Sequence, residues 1–152
     1  MIQLRDSILI GVPPERVWAW LNDLPEHYAA WHPDHVACRY ERGDSLEAGA
    51  VLYIEERLHR RLHRFRLRAT EVVPDRVVRY RDHGFAGAFQ LEPTNGGTCF
   101  TAELTLGIRT PVIERVLDAV ARGLLARRLA ALQTHMREEG ENLKRILESG
   151  GR

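Results

Sequence analysis

The stretch Thr134-His135-Met136-Arg137-Glu138-Glu139-Gly140-Glu141-Asn142-Leu143 lies in the longest helical pattern of the chain, close to its carboxyl end. Helical residues advance by about 100° each, so apolar positions i, i+3, i+4 and i+7 form one stripe. His135 and Glu139 fall within the arc of that stripe, whereas Glu138 and Glu141 fall outside it. A carboxylate that faces an apolar core is strongly destabilising unless it is paired. Two such side chains one turn apart on a buried face suit a metal ion. The apolar stripe itself consists of Leu117, Leu124, Leu132, Leu143 and Ile146.

The pattern predicts one long helix from Pro111 to about Leu147, before Ser149-Gly150-Gly151. Pro13 and Pro14 open a shorter amphipathic helix that carries Val17, Trp18, Trp20 and Leu21. A second short helix is expected over Leu24 to Trp31, since Pro33 stops it. Alternating apolar residues separated by turn residues predict strands at 2–10, 35–42, 50–59, 62–73, 76–82, 85–92 and 98–107.

One strand, two short helices, six strands and a long helix form an α+β order. A helix of about 37 residues spans roughly 55 Å, enough to cover one face of an antiparallel sheet. We therefore predict a single domain over residues 1–152. In it, a curved seven-stranded antiparallel sheet wraps the C-terminal helix and leaves an internal cavity for a small hydrophobic molecule.

The composition excludes several classes of function. The chain has 152 residues, 44% of them hydrophobic and 28% charged, which excludes a disordered chain. Its net charge of +1 gives no overall field that would attract nucleic acid or an anionic membrane. Cys38 and Cys99 form no metal or redox spacing, so reduced thiols are expected. No apolar run is long enough to span a membrane and no secretion signal opens the chain, which predicts a cytoplasmic protein.

The basic stretch 59–68 (HRRLHRFRLR) is explained by strand alternation. Arg64, Arg66 and Arg68 are expected to face water, while Phe65 and Leu67 face the cavity. We therefore predict no nucleic-acid site there.

Two further segments offer ligands for the metal suggested by His135 and Glu139. A lone histidine at a helix end is usually a loop residue, but His35 starts the first strand after the short helices, at the predicted mouth of the cavity. On the strand 50–59, Leu52, Ile54, Glu56 and Leu58 share a face, so Glu56 is the inward acid. A bulge of one residue would turn Glu55 inward instead.

His35, Glu56, His135 and Glu139 together supply two imidazoles and two carboxylates. This set suits zinc, and iron(II) or manganese would also accept it. Four protein ligands with room for water are typical of a catalytic site.

The element order, with Ile10-Gly11-Val12-Pro13-Pro14-Glu15-Arg16-Val17-Trp18 and Trp31-His32-Pro33, resembles the START-like (SRPBCC, Bet v 1-like) superfamily. This resemblance covers the whole chain and implies a helix-grip fold. The superfamily includes pollen allergens, carriers, polyketide cyclases and hydrolases, so it implies a fold more than a function.

Three pieces of sequence are similar to the phloretin and diacetylphloroglucinol hydrolases, which are zinc enzymes that cleave the carbon–carbon bond between an acyl group and a phenolic ring. The pieces are Tyr28-Ala29-Ala30-Trp31-His32-Pro33-Asp34-His35, then Ile54-Glu55-Glu56-Arg57-Leu58 after Gly49, and His135-Met136-Arg137-Glu138-Glu139 with Asn142-Leu143. The family's motif has one more residue before its ligand histidine, which leaves His32 as an alternative to His35.

The resemblance implies zinc as the cofactor, held by His35, Glu56, His135 and Glu139, and an acylated phenol as the substrate. Tyr28 matches a cavity tyrosine of the family, and His83 is a second candidate acid or base. Members of the family are considerably longer, with an N-terminal region that has no counterpart here. The alternative is a metal-free START-like carrier or polyketide cyclase, in which His135 and Glu139 are polar groups lining the cavity.

Overall fold

Alternating inward and outward residues assemble seven antiparallel strands into one curved sheet. The computed structural model describes residues 2–58, 60–107 and 111–150, and their side chains except those of 111–122, 124 and 125. The sheet order is β1-β7-β6-β5-β4-β3-β2. The strands are β1 (Ile2–Ile10), β2 (His35–Arg42), β3 (Val51–Leu58), β4 (Arg61–Val73), β5 (Val77–Asp82), β6 (Phe85–Thr94) and β7 (Gly97–Leu106).

Three helices complete the described fold: α1 (Pro14–Asn22), α2 (Leu24–Trp31) and α3 (Pro111–Glu148). The predicted α+β class, with its seven-stranded antiparallel sheet and long C-terminal helix, is confirmed. The predicted limits of these elements agree to within two residues. The predicted end of one strand, His59, lies outside the described residues.

The short helices α1 and α2 close one end of the sheet. Pro14 occupies the first turn of α1, where its missing N–H is not needed. α2 stops at Trp31 because Pro33 follows, and His32 is already extended, with φ −149° and ψ 144°. The ring of Trp31 meets that of Trp20 edge-on at 5.3 Å, so the two helices share one core.

The carboxyl-terminal half of α3 runs beside β1, an edge strand of the sheet. Gln133 Nε2 donates to the carbonyl of Arg5 at 2.9 Å, and Lys144 Nζ donates to the carbonyl of Leu9 at 2.9 Å. The N–H of Gly11 donates to Glu148 Oε1 at 2.8 Å. The helix thus covers an edge whose free backbone groups would otherwise pair with another chain.

The predicted apolar stripe of α3 is buried where its side chains are described. Leu143 is 0% exposed, and Leu132 and Ile146 are half-buried. Leu117 and Leu124 lie outside the described side chains. Within the described ranges, no helix combines the length and the hydrophobicity needed to cross a membrane.

Truncating Leu143 tests whether the apolar face of α3 packs against the sheet. Leu143→Ala leaves a cavity between α3 and the sheet, so the free energy of unfolding should fall by about 2–5 kcal/mol. Leu9→Ala, at a leucine that is 63% exposed, should change it by less than about 0.5 kcal/mol. Urea denaturation measures both, and equal losses would show that α3 does not pack as described.

Candidate metal centre

The pairing of β2 with β3 brings the first two candidate ligands face to face. His35 opens β2 and lies directly across from Glu56 on β3. The next pairs are Ala37 with Glu55 and Cys38 with Ile54, so Val36 is an extra residue in β2. Without that bulge, alternation along β2 would place Val36 rather than His35 opposite Glu56. The bulge therefore sets the imidazole of His35 on the cavity side.

Glu56 faces inward and Glu55 faces outward. The Tyr28 hydroxyl donates a short hydrogen bond to Glu56 Oε1. Glu55 lies on the opposite face, where it accepts from the Tyr53 hydroxyl at 2.6 Å and pairs with Arg64 at 3.5 Å. The predicted alternative required a bulge in β3, whereas the observed bulge lies in β2 and leaves Glu56 as the inward acid.

The helix α3 adds His135 and Glu139, one turn apart, to the same place. Glu139 Oε1 lies 2.5 Å from His135 Nε2 and 3.1 Å from His35 Nε2. His35 Nε2 also lies 3.8 Å from Glu56 Oε1. One ligand atom from each of these four residues lies within 4.8 Å of the others. The structure therefore brings all four predicted metal ligands together.

Hydrogen bonds fix which nitrogen of each histidine faces the cluster. His35 Nδ1–H donates to the carbonyl of Tyr28 at 2.9 Å, which directs Nε2 at Glu139 Oε1, with which it forms a hydrogen bond of 3.1 Å. His32 uses both nitrogens elsewhere: Nδ1 accepts from the Asp34 N–H at 3.0 Å, and Nε2–H donates to Glu138 Oε2 at 2.7 Å. Between the two predicted alternatives, His35 directs a nitrogen at Glu139 and His32 does not.

His135 is buried with neither nitrogen hydrogen-bonded. It is 6% exposed, and both Nδ1 and Nε2 lack a partner of hydrogen-bond geometry among the described residues. His135 Nε2 lies close to Glu139 Oε1, but the two atoms are not aligned as a hydrogen bond. On its other side, Nδ1 lies 3.4 Å from Asp34 Oδ2. Asp34 was not among the predicted site residues, because nothing in its exposed loop position distinguishes it.

Burial and mutual charge set the protonation of the cluster. Burial alone would raise the pKa of Glu139, but contacts with His135 and His35 lower it to about 2. Burial and the charge of Glu139 raise the pKa of Glu56. Burial opposes the charge on His135, yet Glu139, Glu56 and Asp34 outweigh it and raise its pKa to about 9. Protons thus supply the positive charge that the carboxylates require.

These residues fit a divalent cation. Zinc could be held by Nε2 of His35, a nitrogen of His135 and the carboxylates of Glu56 and Glu139. It would also replace the protons that now offset the carboxylates. The orphaned nitrogens of the buried His135 are the feature that an ion would satisfy.

Tyr28 and His83, the two candidate acid or base residues, lie in different places. The ring of Tyr28 stacks on His35 at 3.9 Å, and its hydroxyl reaches Glu56. Burial and the charge of Glu56 raise the pKa of Tyr28 far above its usual value, so it stays protonated. The prediction for His83 finds no geometric support, because β5 ends at Asp82. His83 is exposed in the following turn and lines neither described cavity.

The cluster lies where two lobes of an apolar cavity meet. The lobe under α1 and α2, called the inner lobe, is distinguished by Leu21, Leu24, Tyr28, Trp31, Leu46, Leu52, Ala69 and Val78. The lobe toward β7 and α3, called the outer lobe, is distinguished by Phe65, Phe85, Ala102, Glu103, Leu104 and His135. Both are lined by Ile54, Glu56, Leu67, Tyr80, Phe89 and Glu139.

Tyr80 is a cavity residue that the sequence analysis did not single out. It lies on β5 opposite Gly87, and a Cβ at Gly87 would come within 2.5 Å of its ring. Burial and the nearby carboxylates raise the pKa of Tyr80. The alternation Val78-Arg79-Tyr80-Arg81 was the available signal, since the arginines mark the outer face.

Solved structures share this fold. TTHA0849 from Thermus thermophilus has a TM-score of 0.75 at 16% identity, covering 99% of this chain and 100% of that one. The AHSA1-like protein from Aeromonas hydrophila has a TM-score of 0.65 at 19% identity, covering 99% and 94%. The di-domain ARO/CYC protein BexL from the BE-7585A biosynthetic pathway has a TM-score of 0.70 at 20% identity, covering 94% of this chain and 48% of that chain.

At these identities the similarity establishes the fold, which is the predicted START-like helix grip. No curated protein matches the sequence. The sequence profile of the family described as polyketide cyclase / dehydrase and lipid transport matches residues 1–148. The chain therefore belongs to the polyketide cyclase / dehydrase and lipid transport family.

Proposed function

We propose that the protein is a metal-dependent hydrolase that cleaves the carbon–carbon bond between an acyl group and a phenolic ring. The convergence of His35, Glu56, His135 and Glu139 on one point of the cavity wall carries this proposal. A purely structural cluster would be expected to satisfy the nitrogens of His135, and among the described residues neither nitrogen has a partner of hydrogen-bond geometry. Zinc suits the two imidazoles and two carboxylates, and iron(II) or manganese are the alternatives.

A divalent ion held by these residues would lower the pKa of water and polarise an acyl carbonyl. The protein's own groups then have two tasks. The apolar walls exclude bulk water and hold the phenolic ring, with Phe65 and Phe89 on the cavity surface. Phe100 packs in the core, with its ring centroid 5.4 Å from that of Phe89, and lines neither described lobe.

Tyr28 is the proposed proton donor to the ring carbon that loses the acyl group. Its hydroxyl lies at the cluster, where it donates a hydrogen bond to Glu56 Oε1. Hydrolysis adds the water oxygen to the acyl carbon and a proton to the ring carbon. One carboxylic acid and one deacylated phenol result, and the donor regains its proton from solvent through Glu56.

A metal-free cyclase or carrier is the second candidate, and family membership favours it. In that function the inner lobe binds a polyketide-like molecule, while the carboxylates and His135 only offer hydrogen bonds to it. The raised pKa values of Glu56 and His135 would let them exchange protons with the ligand. The two candidates differ in whether the cluster binds a cation.

Metal analysis tests the proposal directly. Tag-free protein should contain about one equivalent of divalent metal by elemental analysis, and zinc at 100 times its Kd should stabilise it by about 2.7 kcal/mol. His135→Ala and Glu139→Ala should lose both effects. Glu141→Ala is the matched control, since Glu141 is exposed on the same helix and pairs only with Arg137 in the described contacts. If the wild-type protein contains no metal and is not stabilised by zinc, the result would favour the cyclase or carrier function.

The two neighbouring histidines should behave differently. His35→Ala removes the Nε2 ligand atom from the cluster and should abolish stoichiometric zinc binding. His32→Ala breaks the hydrogen bond to Glu138, so it should lower the melting temperature while zinc binding persists. Isothermal titration with zinc measures the difference. Loss of zinc binding only in the His32 variant would identify His32 as the ligand.

Removing one hydroxyl tests the proton donor. Tyr28→Phe keeps the ring on His35 and the backbone carbonyl that holds His35 Nδ1, so zinc content should be unchanged. Turnover of an acylated phenol should fall by about 10²- to 10⁴-fold, the usual contribution of a positioned acid. Tyr53→Phe, on the outer face beside Glu55, is the control. Unchanged turnover in Tyr28→Phe would exclude Tyr28 as the donor.

A further inference from the structure

The two lobes of the cavity differ in depth and in chemistry. The side chains that distinguish the inner lobe are all nearly buried, from Leu21 at 1% to Leu46 at 8% exposed. Those of the outer lobe include half-buried Phe65, Phe85 and Leu104. A ligand that occupies both lobes therefore has a deep end and a shallow end, with the shared residues Glu56 and Glu139 between them.

Among the described residues, the inner lobe offers no free polar group beyond those that it shares with the outer lobe. The two polar aromatic side chains that line only the inner lobe are already engaged: the Tyr28 hydroxyl donates to Glu56, and Trp31 Nε1 donates to the carbonyl of Glu139 at 2.8 Å. A polar group placed deeper would lose its hydrogen bonds to water without replacement. The part of a ligand that fills this lobe must therefore be apolar, and most of the side chains around it are aliphatic.

The outer lobe suits an aromatic ring. Phe65 and Phe85 meet edge-on at 5.3 Å, which leaves aromatic faces and edges for a third ring. Ala102 and Leu104 on β7 line the same lobe.

We propose that the ligand is an aryl ketone with a long unbranched acyl chain. The chain lies in the inner lobe, the carbonyl lies at Glu56 and Glu139, and the phenolic ring lies in the outer lobe. Naming the carbonyl as the reacting group rests on the proposed hydrolase function, whereas selection of the chain does not. This narrows the substrate class from acylated phenols in general to those with long acyl chains.

Ala69 and Val78 set the length of chain that fits. Both are small, buried residues on adjacent strands, at 3% and 4% exposed, and both line the inner lobe. A larger side chain at either position would occupy the space that the end of the chain requires. Ala102, 5% exposed, is an equally small residue of the outer lobe and provides a matched comparison.

The test is titration calorimetry with 4-hydroxyphenyl alkyl ketones whose acyl chains run from acetyl to decanoyl. Affinity should rise about three- to fourfold per methylene group and then reach a plateau when the lobe is filled. Ala69→Leu should move the plateau to a shorter chain. Ala102→Leu should weaken all members of the series alike and leave the plateau in place. Val78→Ala, which enlarges the lobe, should move it to a longer chain even if Ala69→Leu does not fold.

The outcomes separate this proposal from the hydrolase proposal. Affinity that does not change with chain length would overturn the chain-binding proposal. Identical effects of Ala69→Leu and Ala102→Leu on the plateau would also overturn it. Repeating the titrations with chelator should leave the dependence on chain length unchanged. A chain-length dependence without metal-dependent turnover would support the inner lobe as the chain site and reject the hydrolase. Metal-dependent turnover of the acetyl ketone without a dependence of affinity on chain length would support the hydrolase and reject the inner lobe as the chain site.

Discussion

Two carboxylates lie beside one another on the wall of an apolar cavity, and their charge must be balanced there. Glu56 and Glu139 approach the same imidazoles, and the nearby side chains are mostly aliphatic or aromatic. Isolated, each charge would be strongly unfavourable at this depth. The local structure offsets these charges from three elements: His35 from β2 and His135 from α3 contact Glu139, and the neutral Tyr28 hydroxyl from α2 donates a hydrogen bond to Glu56. The bulge at Val36 and the end of α2 before Pro33 are the backbone features that make this meeting possible.

The same cluster also determines how α3 sits on the sheet. Beside it, Trp31 Nε1 donates to the carbonyl of Glu139, Asn142 Nδ2 donates to the carbonyl of Trp31 at 2.9 Å, and His32 donates to Glu138. These bonds hold α2 against one turn of α3, and that turn carries Glu139. A rotation of α3 that moved Glu139 out of the cluster would break all three. The residues adjacent to the candidate ligands therefore fix the helix, and the candidate ligands themselves stay directed at one another.

Periodicity accounts for most of what the sequence could predict. The strand limits, the two short helices and the inward face of β3 follow from alternation and from prolines at the ends of elements. The pairing of His135 with Glu139 follows from helical spacing alone. The choice between His35 and His32 could not be made this way, since it depends on which nitrogens the backbone of Tyr28 and Asp34 engage. The β2 bulge is equally invisible in sequence, because Val36 is an ordinary strand residue.

The residues that were missed or misplaced share a physical reason. His83 was considered because imidazole can carry protons, but a side chain after the last residue of β5 has no wall to hold it in the cavity. Tyr80 was overlooked because its role depends on Gly87 across the sheet, where the missing side chain leaves room for the ring. Alternation along β5 indicates the face of the sheet on which Tyr80 lies, but the room for its ring comes from a contact between strands, which a single strand's pattern does not contain. Chemical residue type indicates what a side chain can do, whereas cross-strand register determines whether it reaches the cavity. For this fold, alternation within β5 and small residues on its partner β6 would have favoured Tyr80 over His83.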